Sequence, residues 1–460
     1  MKQIGAGLYK SASLSSTMGK AMKAYNFPPP KRGKRRAAAK TRTTMKVMKK
    51  HKGMYAKVPY VRHGIKTMKS RPERATWKRC LQDLLMATEK QTIDMHKKDD
   101  LIPEWNGVLC PHCATGYLGQ LMKFPSRGWA HQCSHYLCRK YVQPHDFHPI
   151  FYNKGTPLKM QGVTLFLCQA NVKQSSAHIL TKLDHKVIEK IYENNDAARQ
   201  RHVAMKEKEV RFCAERDWND VEADEVDLGH AIKKEETALS VAAKRTLRNQ
   251  RKKMKRKASK AKRDKVWEQW GGIIERGHQE TLVLSRLNPI KTKRRAPGPG
   301  PISKRDWKPL GNKHLKGRKV ILHSDGARTY ELEIDGVIHD NVVHKKKQIM
   351  LTGKKVWVRP KYVKVVKHKI PGKTKPLWVK AGTQIIDRFW QHLRSHLKHI
   401  GRVPKNKAMT RKIRSAQWTY WMKGKDLWME GGKMCKSVQT MIASESVFTF
   451  LMHAQRVMWT

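Results

Sequence analysis

Acidic residues are what this chain is shortest of. Over 460 residues it carries 37 Asp and Glu against 98 Lys and Arg, a formal charge of +61, and the first acid is Glu73. A polycation of this kind repels itself unless a polyanion neutralises it, which makes nucleic acid the leading partner. An acidic membrane surface is the runner-up. No stretch approaches the roughly 18 to 20 apolar residues of a spanning helix, and no lipidation signal is evident, so no membrane partner is expected. Cysteine is also scarce, with eight in the chain, which excludes a disulfide scaffold. Cys80, Cys168, Cys213 and Cys435 stand singly and read as ordinary buried thiols. No internal repeat of 20 to 50 residues is visible, which excludes a solenoid.

What is present divides unevenly. An apolar content of 39% supports a core, and the length allows two or three domains. We expect an α+β multidomain chain: a basic flexible leader (1–75), a helical lead-in (76–104), a four-cysteine zinc ribbon (105–150), a helical segment (160–212), an α/β domain (215–425) with a basic insertion (232–265), and a helical tail (426–460). The leader holds Lys31, Arg32, Lys34, Arg35 and Arg36 just after three prolines, a cluster that reads as a nuclear address or a phosphate-binding arm. A Ser-rich, acid-free start also suits an organellar transit peptide. The insertion holds Arg251, Lys252, Lys253, Lys255, Arg256 and Lys257, read as a basic helix on DNA or a solvated segment.

The remaining four cysteines cluster. Cys110 and Cys113 form C-x2-C, and after 19 intervening residues Cys133 and Cys138 form C-x4-C. Each pair can offer two thiolates to one tetrahedral ion, so a structural Zn2+ is expected with every position filled by sulfur. His112, His131 and His135 are then surplus and read as surface or DNA-facing groups. Downstream, Gln174–Leu183 and Val187–Arg201 predict two helices around Asp184, an N-cap for the second. The pair suits a helix-turn-helix or a plain helical hairpin; in the first case Lys190, Arg199 and Arg201 are candidate DNA contacts.

Three acids stand out against the basic background: Asp224 in Val221-Glu-Ala-Asp224-Glu225, Asp325 in His323-Ser-Asp325-Gly-Ala-Arg-Thr-Tyr330, and Asp387 in Thr383-Gln-Ile-Ile-Asp387-Arg-Phe-Trp390. The run Lys319–His323 predicts a buried strand delivering Asp325. Ile386, Phe389, Trp390, Leu393 and Leu397 predict a helix with a core-facing stripe that carries Asp387. Alternation along a strand puts Glu225 on the face opposite Asp224. His339 and His344 remain unassigned.

These three segments in this order, with the cysteine quartet upstream, resemble the DDE transposases of the Merlin type and their bacterial insertion-sequence relatives, the ISXO-type enzymes, over roughly residues 105 to 425. The resemblance implies a ribonuclease-H-like catalytic domain in which Asp224, Asp325 and Asp387 hold catalytic Mg2+ or Mn2+. It also implies metal-dependent cleavage and transfer of DNA strands, a zinc ribbon that helps bind DNA, and a homo-oligomer. At the third position the family carries Glu where this chain has the shorter Asp387. Two other readings remain open: a domesticated DNA-binding protein without chemistry, and an organellar RNA-binding protein. The matching locations are the nucleus and an organelle.

Overall fold

The computed structural model describes residues 55–63, 76–151, 155–213, 218–232, 265–293, 295–344, 347–351, 354–358, 360–397 and 406–441. The leader cluster Lys31–Arg36, the insertion cluster Arg251–Lys257 and the tail beyond 441 lie outside them.

The expected helical lead-in contains α1 (Leu81–Met86) and α2 (Glu89–Lys98). The start of α2 is set by Thr88: its hydroxyl accepts from Gln91 N–H, and the Gln91 side chain accepts from Thr88 N–H in return. Three short strands follow, β1 (Met122–Phe124), β2 (Gly128–Gln132) and β3 (Tyr141–Val142), paired antiparallel in that order. Then come α3 (Leu158–Gln169), α4 (Gln174–Thr181) and α5 (His185–Lys206). Asp184 caps α5, accepting from Lys186 N–H at 2.7 Å.

A six-stranded sheet forms the centre: β4 (Asn219–Ile232), β5 (Lys265–Glu275), β6 (His278–Arg286), β7 (Ile290–Thr292), β8 (Val320–Ser324) and β9 (Val337–Asn341). Its order is β6-β5-β4-β8-β9, with β7 also beside β5. The β4–β5 and β5–β6 pairs are antiparallel, whereas β8 and β9 run parallel to β4. Helix α6 (Lys304–Leu315) precedes β8. After β9 come two separate hairpins, β10 (Lys347–Leu351) with β11 (Lys354–Val358) and β12 (Lys364–His368) with β13 (Leu377–Ala381). Helices α7 (Gln384–His396) and α8 (Lys407–Trp421) and a helix over 427–441 complete the described fold.

Strand alternation gives the sheet two cores. Val221, Ala223, Ile273, Val283, Val320 and Leu322 face Trp307 and Leu310 of α6. Val226, Trp270, Ile274 and Leu284 face the helices on the other side, where α5, α7 and α8 pack. Ile386, Phe389, Trp390 and Leu393 of α7 are buried in this second core. Complete burial of such a side chain is worth about 1.5–3 kcal/mol, so the stripe anchors the helix and fixes the direction in which its polar residues point.

Two sequence readings are corrected by this packing. Arg199, expected to face DNA, is buried between helices: its guanidinium donates to Ser415 Oγ and Gln169 Oε1 and lies 4.5 Å from the centre of the Trp418 ring. Helix α5 turns that side toward α8, whereas Lys190 and Arg201 are exposed. Residues 55–63, read as flexible leader, are fixed by long-range hydrogen bonds from Tyr60 and Arg62 to β4.

Buried histidines make the fold acid-sensitive. Ile150 and Phe151 N–H donate to His148 Nδ1, which leaves Nε2 to donate to Leu101 O at 2.6 Å. Burial pushes His148 down to about 3 and His96 down to about 4. The unfolded chain takes up these protons near 6.5, so below that pH the folded state binds fewer protons. Stability is therefore complete above about pH 6.5 and expected to fall as pH drops toward 4. Thermal melts at pH 7.5, 6 and 5 check this; a midpoint that stays constant across them contradicts it.

Candidate functional site

The four clustered cysteines converge as the spacing predicts. Their sulfurs all lie within 4.8 Å of one another, with Cys110 3.9 Å from Cys138 and Cys113 3.7 Å from Cys133. A tetrahedral ion with metal–sulfur bonds of about 2.3 Å has edges of about 3.8 Å, so the donor set and its size fit zinc. Backbone N–H groups of Gly116 and His135 point at Cys113 Sγ and Cys133 Sγ, each at 3.4 Å. Hydrogen bonds from Thr115 and then Gly116 pull the Cys113 thiol down, toward the thiolate a metal needs, whereas burial and the neighbouring cysteines push Cys133 up. Gly116 is required by close approach, because a Cβ there would sit 2.5 Å from Cys133 Sγ. His131 is not a surface group as expected: it is buried, with Nδ1 2.8 Å from Gly119 O, bracing the module from inside. His112 is exposed.

The acids form a second site, at the point where β4 and β8 part. The last paired row between them is Glu222 opposite His323, and two residues further along each strand lie Asp224 and Asp325. Asp224 is not at a strand end, since β4 continues to Ile232 in its pairing with β5. Helix α7 lays Asp387 and Trp390 over this spot. The Trp390 indole donates to Asp224 Oδ2 at 2.9 Å, and Thr383 Oγ1 donates to Asp387 Oδ2 at 3.2 Å. Asp325 Oδ1 accepts from Ala327 N–H at 2.9 Å, holding that loop as a tight turn. The close approach of α7 depends on Gly272, opposite Asp224 on β5, where a Cβ would lie 2.9 Å from the Trp390 ring. All three carboxylates are half-buried.

Their electrostatics follow from who neutralises whom. Asp220, Glu222 and Asp224 alternate along one face of β4. Asp220 accepts from Arg62 at 2.6 Å and faces His323 Nε2 at 3.0 Å. Burial opposes its charge, but His323 and Arg62 outweigh that and hold the carboxyl well below the usual range. Glu222 accepts from Tyr60 Oη and Arg276 Nε, at 2.6 and 2.7 Å, and from Ile385 and Ile386 N–H at the start of α7. Among the described residues no cation forms an ion pair with Asp224. Burial first, then the charges of Glu225, Asp387 and Asp325, push it far above the ordinary carboxylate range. Asp387 is raised as well, by burial and by Glu222, against the hydrogen bond from Thr383. Repelling acids left without a cation are the charge deficit that a divalent ion relieves.

Glu225 points to the other face, accepting from Tyr330 Oη at 2.6 Å and Ile302 N–H at 3.1 Å. A buried chain continues across the sheet beside the acids: His323 Nδ1 lies 2.7 Å from Asp340 Oδ1, and His368 Nε2 lies 2.8 Å from Asp340 Oδ2. Burial disfavours a charged His323, yet the two flanking carboxylates outweigh it and raise its pKa. His339, unassigned in the sequence, has Nε2 2.8 Å from Ser324 Oγ.

Sequence reasoning missed Glu222, Arg276 and Tyr60, whose side chains tie residues 55–63, β4 and α7 together. Arg276 and Glu222 are at most 1% exposed, and Arg276 also donates to the carbonyls of Lys380 and Gly382 at 2.6 Å each. Removing one partner of such a pair leaves the other charge buried and alone, at a cost of about 3–5 kcal/mol. Arg276→Met is expected to lose that much in urea denaturation; a loss under about 1 kcal/mol contradicts the role assigned to the pair. A scan against protein-family models and searches of curated proteins and of solved structures return no match.

Proposed function

We propose that the chain is a DDE-type transposase, or a protein derived from one, that binds DNA and catalyses metal-dependent strand cleavage and transfer. The observation that carries this reading is the convergence of Asp224, Asp325 and Asp387, from two neighbouring parallel strands and a helix, into one half-buried acidic cluster. If the five longer strands are numbered 1 to 5 along the chain, their order is 3-2-1-4-5, with the first three antiparallel and the last two parallel to the first. That order supports a ribonuclease-H-like reading. The cysteine tetrad with its three short strands supports a zinc ribbon.

In this reading the three carboxylates would hold Mg2+ or Mn2+, which would supply activation of the attacking hydroxyl or water and charge stabilisation on the leaving oxygen. The protein's own groups set the directions: the Trp390 indole orients Asp224, Ala327 N–H orients Asp325, and Thr383 orients Asp387. The net charge of +61 supplies the attraction for the DNA backbone. A homo-oligomer and a nuclear location belong to the same proposal.

A second reading, a domesticated DNA-binding protein without chemistry, is favoured by one observation. Among the described residues only the cysteines bring three or more ligand atoms within 4.8 Å of one another, so the acids are more widely spread, and Asp387 is short. Plasmid nicking and strand joining by the zinc-loaded protein separates the two. Cleavage that requires Mg2+ or Mn2+ supports the enzyme, and tight DNA binding without cleavage supports the domesticated protein.

A further inference from the structure

The hairpin β10–β11 pairs with no other strand of the described fold. At about 3.4 Å per residue its five-residue strands reach about 17 Å, and an isolated two-stranded hairpin is marginal without something to pack on. In its register Gln348 faces Trp357 and Met350 faces Lys355, which places these four side chains on one face. Trp357 is 63% exposed and Met350 64%, an unusual placement for the most expensive apolar side chains to leave in water.

Two further aromatic groups follow it in the chain. Tyr362 is exposed and its ring lies 5.1 Å from that of His344, so the two roots of the hairpin touch. Trp378 on β13 is opposite Lys367, whose Nζ is 5.7 Å from the indole centre. Val342 N–H donates to Ser324 O at 3.1 Å, and a Cβ on Gly326, the neighbour of Asp325, would lie 2.9 Å from a Val343 methyl, which puts the root of the hairpin beside the acidic cluster. Residues 344–369 contain ten Lys and Arg and no Asp or Glu. Exposed aromatic rings in a segment rich in cations and free of acids are the composition of a surface that stacks bases and tracks phosphates.

We propose that the β10–β11 hairpin and its base bind an unpaired DNA strand, with Trp357 as the principal base-stacking platform and Trp378 as a second. The inference rests on the reading of the acids as a strand-processing site for its purpose, which is to hold an opened strand beside Asp224, Asp325 and Asp387. Its chemistry differs from the rest of the basic surface: lysines attract single and double strands alike, whereas a ring can stack only on a base that has left its pair.

The test compares the affinities of the full-length, zinc-loaded protein for a labelled oligothymidylate of about 20 nucleotides and for the matching duplex, by fluorescence anisotropy at fixed salt. Trp357→Ala is expected to weaken single-strand binding about tenfold and duplex binding less than about twofold, with Trp357→Phe restoring most of the loss. Because Trp357 is exposed, the melting midpoint should stay at the parent value. An unchanged single-strand affinity overturns the proposal, as does an equal loss on both probes, or polyglutamate binding as tight as that of the oligonucleotide. No cleavage is read, so a catalytically inert parent chain sinks the enzyme reading while leaving this test intact.

Discussion

Asp224→Asn is expected to lower metal-dependent strand cleavage to about a thousandth of the parent rate or less while raising the melting temperature of the metal-free protein. The first effect follows from removing a carboxylate that would ligate the cations, whose charge stabilisation is worth several kcal/mol at the transition state. The second follows from the sign of the Asp224 shift. Its carboxyl is raised in the folded state by burial and by the charges of Glu225, Asp387 and Asp325, so at any pH above the ordinary carboxylate range this acid opposes folding. Asparagine keeps an oxygen for the Trp390 indole and removes the repulsion. Adding Mg2+ should then stabilise the parent and leave the variant unmoved. Asp325→Asn should match the loss of cleavage. A variant that is inactive and also less stable would mean that Asp224 is a structural group and the acidic cluster no cation site.

The four-cysteine module carries the other large effect. Cys110→Ser with Cys133→Ser is expected to abolish stoichiometric metal binding and unfold residues 105–150, since structural zinc contributes on the order of 10–16 kcal/mol to modules of this size. The module's own apolar cluster supports this: besides Cys110 and Cys133 it contains the buried Leu118 and Val142, with Trp105 partly covered against them. So small a cluster cannot hold the three short strands without the ion. Metal analysis together with protease digestion reads the result. If cleavage by protease within 105–150 is unchanged after zinc removal, the tetrad is not what holds the module. Residues 219–397 should keep their melt in either case, because Asp224 and its neighbours depend on the sheet and α7.

How far the sequence led depended on whether a signal was local. The apolar run before Asp325 forms β8, the stripe from Ile386 to Leu393 is buried as α7, and Asp184 caps α5, each readable from a window of a few residues. The cysteine spacing likewise encodes its own convergence. The partners that distinguish Asp224 from Asp220 and Glu222 were not readable, because all three are acids on one strand. Tyr60 and Arg62 meet β4 across about 160 residues of chain, and no periodicity announces that contact. Arg199 was misread for a related reason. A cationic helix position is ordinarily solvated, and only the fold reveals that Trp418, Gln169 and Ser415 surround it.

The pairing of Ile232 with Lys265 at the far end of the β4–β5 ribbon brings the two ends of residues 233–264 side by side. Closing a loop costs only about 0.6 kcal/mol more for each doubling of its length, so the sheet is nearly indifferent to how much chain is threaded through that gap. The ribbon tip is therefore an exchange port: 32 residues reside there now, and a short turn or a foreign module could replace them without rewriting the register that sets Asp224 opposite Gly272.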